Sequence, residues 1–248
     1  MEQRVIVVTG ASGGIGAAAT EALAARGHSV LAVARRADPL QHVADRSQGT
    51  VVPFVADMTV RSEVRRAVEA TLERFGRVDV WINNVGRGIF RMPSELTDDD
   101  IDEIMRINVM TALYGMQEVL PHFKERGQGH IINISSLLGR IPLAPFRSAY
   151  CAAKHFLNAL STTFQAELAE AYPHIHVSLV SPGVVRTDFG ANAMHGGPSS
   201  WELPNSQSAE EVAAVIADVV ESGRRDVYTR AGMQERIASY YASLGEDP

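Results

Sequence analysis

Arg4-Val5-Ile6-Val7-Val8-Thr9-Gly10-Ala11-Ser12-Gly13-Gly14-Ile15-Gly16, followed by Ala17 to Gly27, is the stretch from which the fold can be read. Val5 to Val8 is a short continuous run of β-branched residues, the pattern of a central parallel strand covered on both faces. It passes directly into glycines and then into an Ala-rich segment, Ala17 to Arg26, that reads as a helix closed by Gly27. In a strand, glycine turn and helix of this kind the glycines permit tight turning and close backbone approach. The helix start offers unpaired N–H groups and a positive dipole end to a pyrophosphate. Gly10, Ser12, Gly14, Ile15 and Gly16 are therefore candidate dinucleotide contacts.

The same alternation continues outward. Strands are expected at Ser29 to Ala34, Val51 to Ala56, Val78 to Ile82, His130 to Ile134, Ile175 to Val180 and Asp226 to Thr229. Between them Arg61 to Arg74 is amphipathic, Thr97 with Asp98, Asp99 and Asp100 starts a helix running towards Leu120, and Ala209 to Val220 forms another. From Arg147 to Tyr172 the apolar spacing through Ala149, Ala152, Ala153, Phe156, Leu157, Leu160, Phe164 and Leu168 predicts one long, largely buried helix ended by Pro173. Strands alternating with helices predict an α/β architecture: a doubly wound parallel sheet of about seven strands with helices on both faces. No repeat or linker divides residues 1–248, so a single domain is expected.

Composition narrows the partners. A net charge of −6 without a basic cluster argues against nucleic acid and anionic membrane surfaces, leaving a small molecule as the partner. The single cysteine, Cys151, excludes an intrachain disulfide. No apolar run approaches a membrane span, and neither a leader pattern nor a lipidation signal is visible, so a soluble cytoplasmic protein is expected. The eight histidines show no ligand spacing, and no metal is expected.

The end of the second strand bears on the choice of dinucleotide. An acidic residue roughly 20 positions after the glycines would accept bonds from a ribose 2′-hydroxyl. Here Arg35 and Arg36 occupy the strand end, and a guanidinium there suits a 2′-phosphate, so NADP(H) is favoured over NAD(H). Asn83-Asn84-Val85-Gly86 follows the fourth strand at the carboxyl edge, where ligands bind in open sheets; structural and cofactor-lining roles are compatible for Asn83 and Asn84, and Asn84 and Gly86 are candidate cofactor contacts. Asn108 lies among apolar neighbours and must either bond backbone or hold a water. Residues 189–208, rich in Gly, Pro, Ser and Asn, read as a loop covering the substrate.

Tyr150 and Lys154 are one helical turn apart and share a face. A phenol titrates near ~10, too high for acid–base work at neutral pH, and a nearby ammonium would lower that value. Ser136, at the end of the His130 to Ile134 run, could hold a substrate oxygen against the phenol, with Ser135 as the alternative. Cys151 faces another direction and reads as a packed thiol.

Together, Thr9-Gly10-x-x-x-Gly14-Ile15-Gly16, Asn83-Asn84-Val85-Gly86, Asn108, Ser136, Tyr150 and Lys154 resemble the short-chain dehydrogenase/reductase family over nearly the whole chain. The resemblance implies a Rossmann fold, with Tyr150 as general acid/base and Ser136 orienting the substrate. It makes Lys154 hold the nicotinamide ribose and lower the tyrosine pKa, and Asn108 anchor a water. It places Asp57 near the adenine and Pro182, Gly183 and Thr187 beside the nicotinamide. Val85 departs from the usual alanine, and fourteen positions separate Ser136 from Tyr150, one more than in many members. The implied activity is hydride transfer between NADP(H) and a ketone, aldehyde or secondary alcohol, in a homotetramer or dimer. A non-catalytic dinucleotide sensor or scaffold is the rival reading, and an epimerase or dehydratase a third.

Overall fold

A computed structural model describes residues 2–245 apart from 202 and 204, so Glu202 and Pro204 of the expected covering loop lie outside the described residues. Seven strands form one parallel sheet: β1 Val5–Thr9, β2 Ser29–Ala34, β3 Thr50–Val55, β4 Val80–Asn83, β5 Gly129–Ile134, β6 Ile175–Ser181 and β7 Asp226–Tyr228. Their order is β3-β2-β1-β4-β5-β6-β7. The chain leaves β1 in one direction to build β2 and β3 and returns to its other side for β4. The order therefore reverses between β1 and β4, and the carboxyl ends of the strands open there into a crevice.

Side-chain alternation assigns the two cores. Ile6 and Val8 of β1 point to one face with Ile82 and Ile132, covered by α1 (Gly14–Ala25) and α7 (Ala209–Ser222). Val7 points to the other with Trp81 and Ile131, covered by α3 (Arg61–Phe75), α5 (Thr111–Arg126) and α6 (Ser148–Leu168). Every residue of β1 and β2 is buried, as their unbroken apolar runs require.

Three elements differ from the reading of the sequence. Helix α2 (Ala37–Arg46) was not anticipated; Pro39 lies in its first turn, where the missing N–H interrupts nothing. The segment from Thr97 is not one uniform helix: α4 (Asp98–Met105) passes into α5 through a widened π turn at Arg106–Met110. Helix α6 stops at Leu168, five residues before Pro173. A last helix, α8 (Met233–Ala242), buries none of its residues. Among the described residues no helix is long and apolar enough to cross a membrane.

Candidate active site

The glycine turn forms a cradle whose shape depends on missing side chains. A Cβ on Gly16 would lie 2.3 Å from the Gly10 carbonyl oxygen and 2.5 Å from Asn84 Nδ2, so only glycine allows α1 to begin so close to β1. Gly10 and Gly14 have φ of +67° and +54°. Asn84 Nδ2 donates to the carbonyls of Thr9 (3.1 Å) and Gly10 (3.3 Å), which fastens the end of β4 to the turn. The start of α1, at Gly13, has no side-chain cap, so its amides remain available to an anion. An open cleft of about 380 Å³ runs past Ser12, Gly13, Gly14, Arg186 and Thr187. This geometry fits a dinucleotide pyrophosphate.

At the end of β2, Arg36 Nη2 donates to Ser12 Oγ at 3.3 Å and stands over the turn, whereas Arg35 leans 3.8 Å from Asp57 Oδ2. Asp57 is otherwise engaged locally, accepting from Thr59 N (2.9 Å) and Oγ1 (2.8 Å). Ile15 packs against the core below the turn. On the far side, Leu137 N donates to the Pro182 carbonyl at 2.8 Å, and the Thr187 methyl lies 3.1 Å from where a Gly14 Cβ would be. Gly183 is partly exposed on the same segment.

Ser136, Tyr150 and Lys154 converge beside this crevice. Lys154 Nζ donates to the Ile134 carbonyl (2.9 Å) and sits 5.8 Å from the centre of the Tyr150 ring. Ser136 Oγ accepts from Leu138 N (3.1 Å), which leaves its proton free to point elsewhere, and its hydroxyl is close enough to Tyr150 to favour the phenolate. Ser135 is committed to Asn158, donating to Oδ1 at 2.5 Å, so Ser136 is the serine that faces the phenol. Gly86 lies between Asn108 and Lys154: a Cβ there would be 3.0 Å from Asn108 Oδ1 and 3.7 Å from Lys154 Nζ.

Asn108 bonds backbone. Its Nδ2 donates to the carbonyls of Ile104 (3.0 Å) and Arg87 (2.9 Å), and its Oδ1 accepts from Arg87 N (3.1 Å). The π turn widens the helix there, freeing the Ile104 carbonyl for the side chain.

The electrostatics correct one expectation. Burial pushes the Tyr150 phenol up to about 12, against the smaller downward pull of Ser136 and Arg147. Lys154 is not among the groups that lower it; burial instead pulls the lysine itself down to about 8. Desolvation dominates both shifts because both groups are almost wholly covered, at 7% and 3% exposed. Burial also pushes the Cys151 thiol up to about 11, against thiolate chemistry. Arg147, whose charge reaches Tyr150, is not singled out by the sequence, where it is one polar letter at a helix start.

Phe189 to His195 lie against the site. The Phe189 ring meets Tyr150 edge-on with centres 5.5 Å apart. Met194 bridges Ile89 in parallel, and its N donates to the Gly88 carbonyl at 2.9 Å. His195 Nε2 pairs with buried Asp100 Oδ1 at 2.6 Å, beside Arg91 at 2.8 Å from Oδ2. His195, Thr97 and Arg91 hold the Asp100 carboxyl well below the usual range.

Two solved proteins of this shape hold dinucleotides. A short-chain dehydrogenase/reductase from Burkholderia phymatum in complex with NAD superposes with a TM-score of 0.86 over 100% of this chain and 98% of that one, at 23% identity. An alcohol dehydrogenase from Thermococcus sibiricus complexed with 5-hydroxy-NADP gives 0.80 over 94% and 98%, at 27% identity. In sequence, the chain is 34% identical to dehydrogenase/reductase SDR family member 7B of Mus musculus, over 92% of this chain and 73% of that one. It is 32% identical to oxidoreductase BOA17 of Botryotinia fuckeliana over 98% and 85%. The short chain dehydrogenase family model matches residues 4–196, a span that takes in the glycine cradle, the serine, the tyrosine and the lysine. By fold and by sequence, this chain belongs to the short-chain dehydrogenase/reductase family.

Proposed function

We propose that the protein is an NADP(H)-dependent oxidoreductase that interconverts a ketone or aldehyde and an alcohol, with Tyr150 as its general acid/base. The observation that carries this reading is the meeting of Ser136, Tyr150 and Lys154 beside the glycine cradle. Bound nicotinamide supplies or takes up the hydride. Ser136 and Tyr150 donate hydrogen bonds to the carbonyl oxygen and hold it in place. In reduction Tyr150 then yields its phenolic proton to that oxygen. Lys154, with a pKa near neutrality of about 8, returns a proton to the phenol and binds the nicotinamide ribose. With both N–H groups of its amide spent on backbone carbonyls, Asn108 has one Oδ1 lone pair left to hold a water that links the lysine to solvent. Phe189 and the loop behind it exclude bulk water during the exchange.

Arg36 over Ser12 supports a 2′-phosphate at the end of β2, and no carboxylate of that strand end opposes it. Arg35 serves the same phosphate once drawn from Asp57, which lies towards the adenine. The test is a panel of ketones, aldehydes and alcohols followed by nicotinamide absorbance with NADPH and NADH, for the wild type and Tyr150→Phe. The expected result is turnover with higher kcat/KM for NADPH, reduced by a factor of about 10²–10⁴ in the variant. Full turnover by Tyr150→Phe would refute the proton-transfer role, and a clear NADH preference the cofactor assignment.

A further inference from the structure

Arg147 immediately precedes α6 and lies three residues before Tyr150. Its Nη1 rests against Gly88, 2.5 Å from where a Cβ on that glycine would stand. From the same point Phe189 Cε1 and Ala193 Cβ lie at 3.1 and 3.3 Å. The guanidinium end is therefore enclosed by the segment after β4, by the covering loop and by the start of the helix that carries the tyrosine. It is close enough to Tyr150 for its charge to be felt there. Phe189, beside it, is the same ring that meets the phenol.

Within this enclosure Arg147 Nη1 is buried and has no hydrogen-bond partner among the described residues. Other arginines around the site are matched: Arg91 pairs with Asp100 at 2.8 Å and Arg140 with Asp226 at 2.6 Å. Among the described residues no carboxylate pairs with Arg147, and burial works against its cation. A buried cation without an acceptor is costly to a folded protein, and an anion brought into the same space relieves that cost. Guanidinium is the side chain best suited to receive a carboxylate.

Resting on the reading of Tyr150 as the carbonyl's proton donor, we infer that the substrate carries a carboxylate, which Arg147 binds a few bonds from the reacting carbonyl. The substrate class is thus an oxo acid or hydroxy acid, and Arg147 is a specificity-determining residue. The covering loop closes over both groups at once, through Phe189 and Ala193.

The test compares α-, β- and γ-keto pentanoates with their methyl esters for the wild type, Arg147→Gln and Arg147→Lys, with NADPH saturating. The wild type is expected to prefer at least one acid over its ester by a factor of about 10–100, the span of a lost hydrogen bond to a charged group. Arg147→Gln should abolish that preference mainly through KM, with Arg147→Lys intermediate, the readout being the acid-to-ester ratio within each protein. Binding of pentanoate and pentanamide to the protein–NADP⁺ complex, followed by calorimetry, gives a readout independent of turnover. The carboxylate should bind more tightly to the wild type and lose that advantage in Arg147→Gln. Equal handling of acids and esters, or an acid preference that survives Arg147→Gln, would overturn the inference while leaving carbonyl reduction intact. Where no carbonyl compound of any kind is turned over yet pentanoate still binds through Arg147, the reading of Tyr150 fails and the anion site stands. Failure of pentanoate to discriminate the two proteins overturns the site itself.

Discussion

The ammonium of Lys154 is desolvated on all sides, and in the folded protein its pKa falls to about 8. An unfolded lysine titrates near ~10.4. Between those two values the unfolded chain binds more protons than the folded one, so the lysine's contribution to stability rises with pH, and below the lower value its penalty is constant and complete. Tyr150 and Cys151 act in the opposite sense at higher pH, since burial raises both. Comparison with Lys154→Met isolates the lysine. Urea unfolding at about pH 7.5 and about pH 9.5 should show the wild type gaining roughly 2 kcal/mol relative to the variant. Parallel pH profiles would mean that the ammonium is hydrated in the folded protein. The identities of Ser136, Tyr150 and Lys154 are legible in the sequence because helical spacing fixes which side chains share a face. The direction of the tyrosine shift is not, because it depends on how completely other segments cover the pair. The same holds for Arg147, whose importance lies in what fails to surround it.

Helix α6 is held to the sheet by a chain of buried polar side chains. Trp81 Nε1 donates to Asn83 Oδ1 (2.7 Å), Asn83 Nδ2 to Asn133 Oδ1 (2.8 Å), and Asn133 Nδ2 to Ser161 Oγ (2.8 Å). Ser161 Oγ completes it at the Leu157 carbonyl (2.6 Å). The chain joins β4, β5 and the middle of the helix that carries Tyr150 and Lys154. A sequence shows these residues as unrelated letters, since the links cross between strands that are far apart along the chain. Strand positions were legible because apolar β-branched runs have no better place than a covered sheet. Helix α2 was not, because the first-turn tolerance of Pro39 can be recognised only once the helix start is known. Asn133 is wholly buried, so Asn133→Leu takes the acceptor from one Asn83 N–H and the donor from Ser161 Oγ, which keeps only its bond to the Leu157 carbonyl. The expected loss is roughly 1–3 kcal/mol in unfolding free energy. The displaced helix should also lower kcat with little change in cofactor affinity, because the glycine cradle is tied separately to Asn84. A variant with undiminished stability would show that the chain adds nothing to the anchoring of α6.

Across the whole molecule, the sequence places Ala152 and Phe156 in the buried set of α6, and the structure puts them outside: Phe156 is 49% exposed, and Ala152, Ala159 and Thr163 are exposed with it. The helix has apolar side chains on two sides, and periodicity alone cannot say which of them meets its own sheet. The inward side packs Leu157, Phe164 and Leu168. The outward side presents one aromatic ring among small residues, a surface that another helix can approach closely and that water covers poorly. A second copy of the chain, related by a two-fold axis, would set Phe156 against its own counterpart region. Light scattering after size exclusion at micromolar concentration should give a dimer or tetramer. Phe156→Glu should convert it to monomers, because two carboxylates would then be brought together in an apolar contact. With no part of the cradle or of the Ser136, Tyr150 and Lys154 cluster altered, the monomeric variant should retain cofactor binding. A wild-type protein that runs as a monomer, or a Phe156→Glu protein with unchanged assembly, would show that this face is solvent in the working molecule.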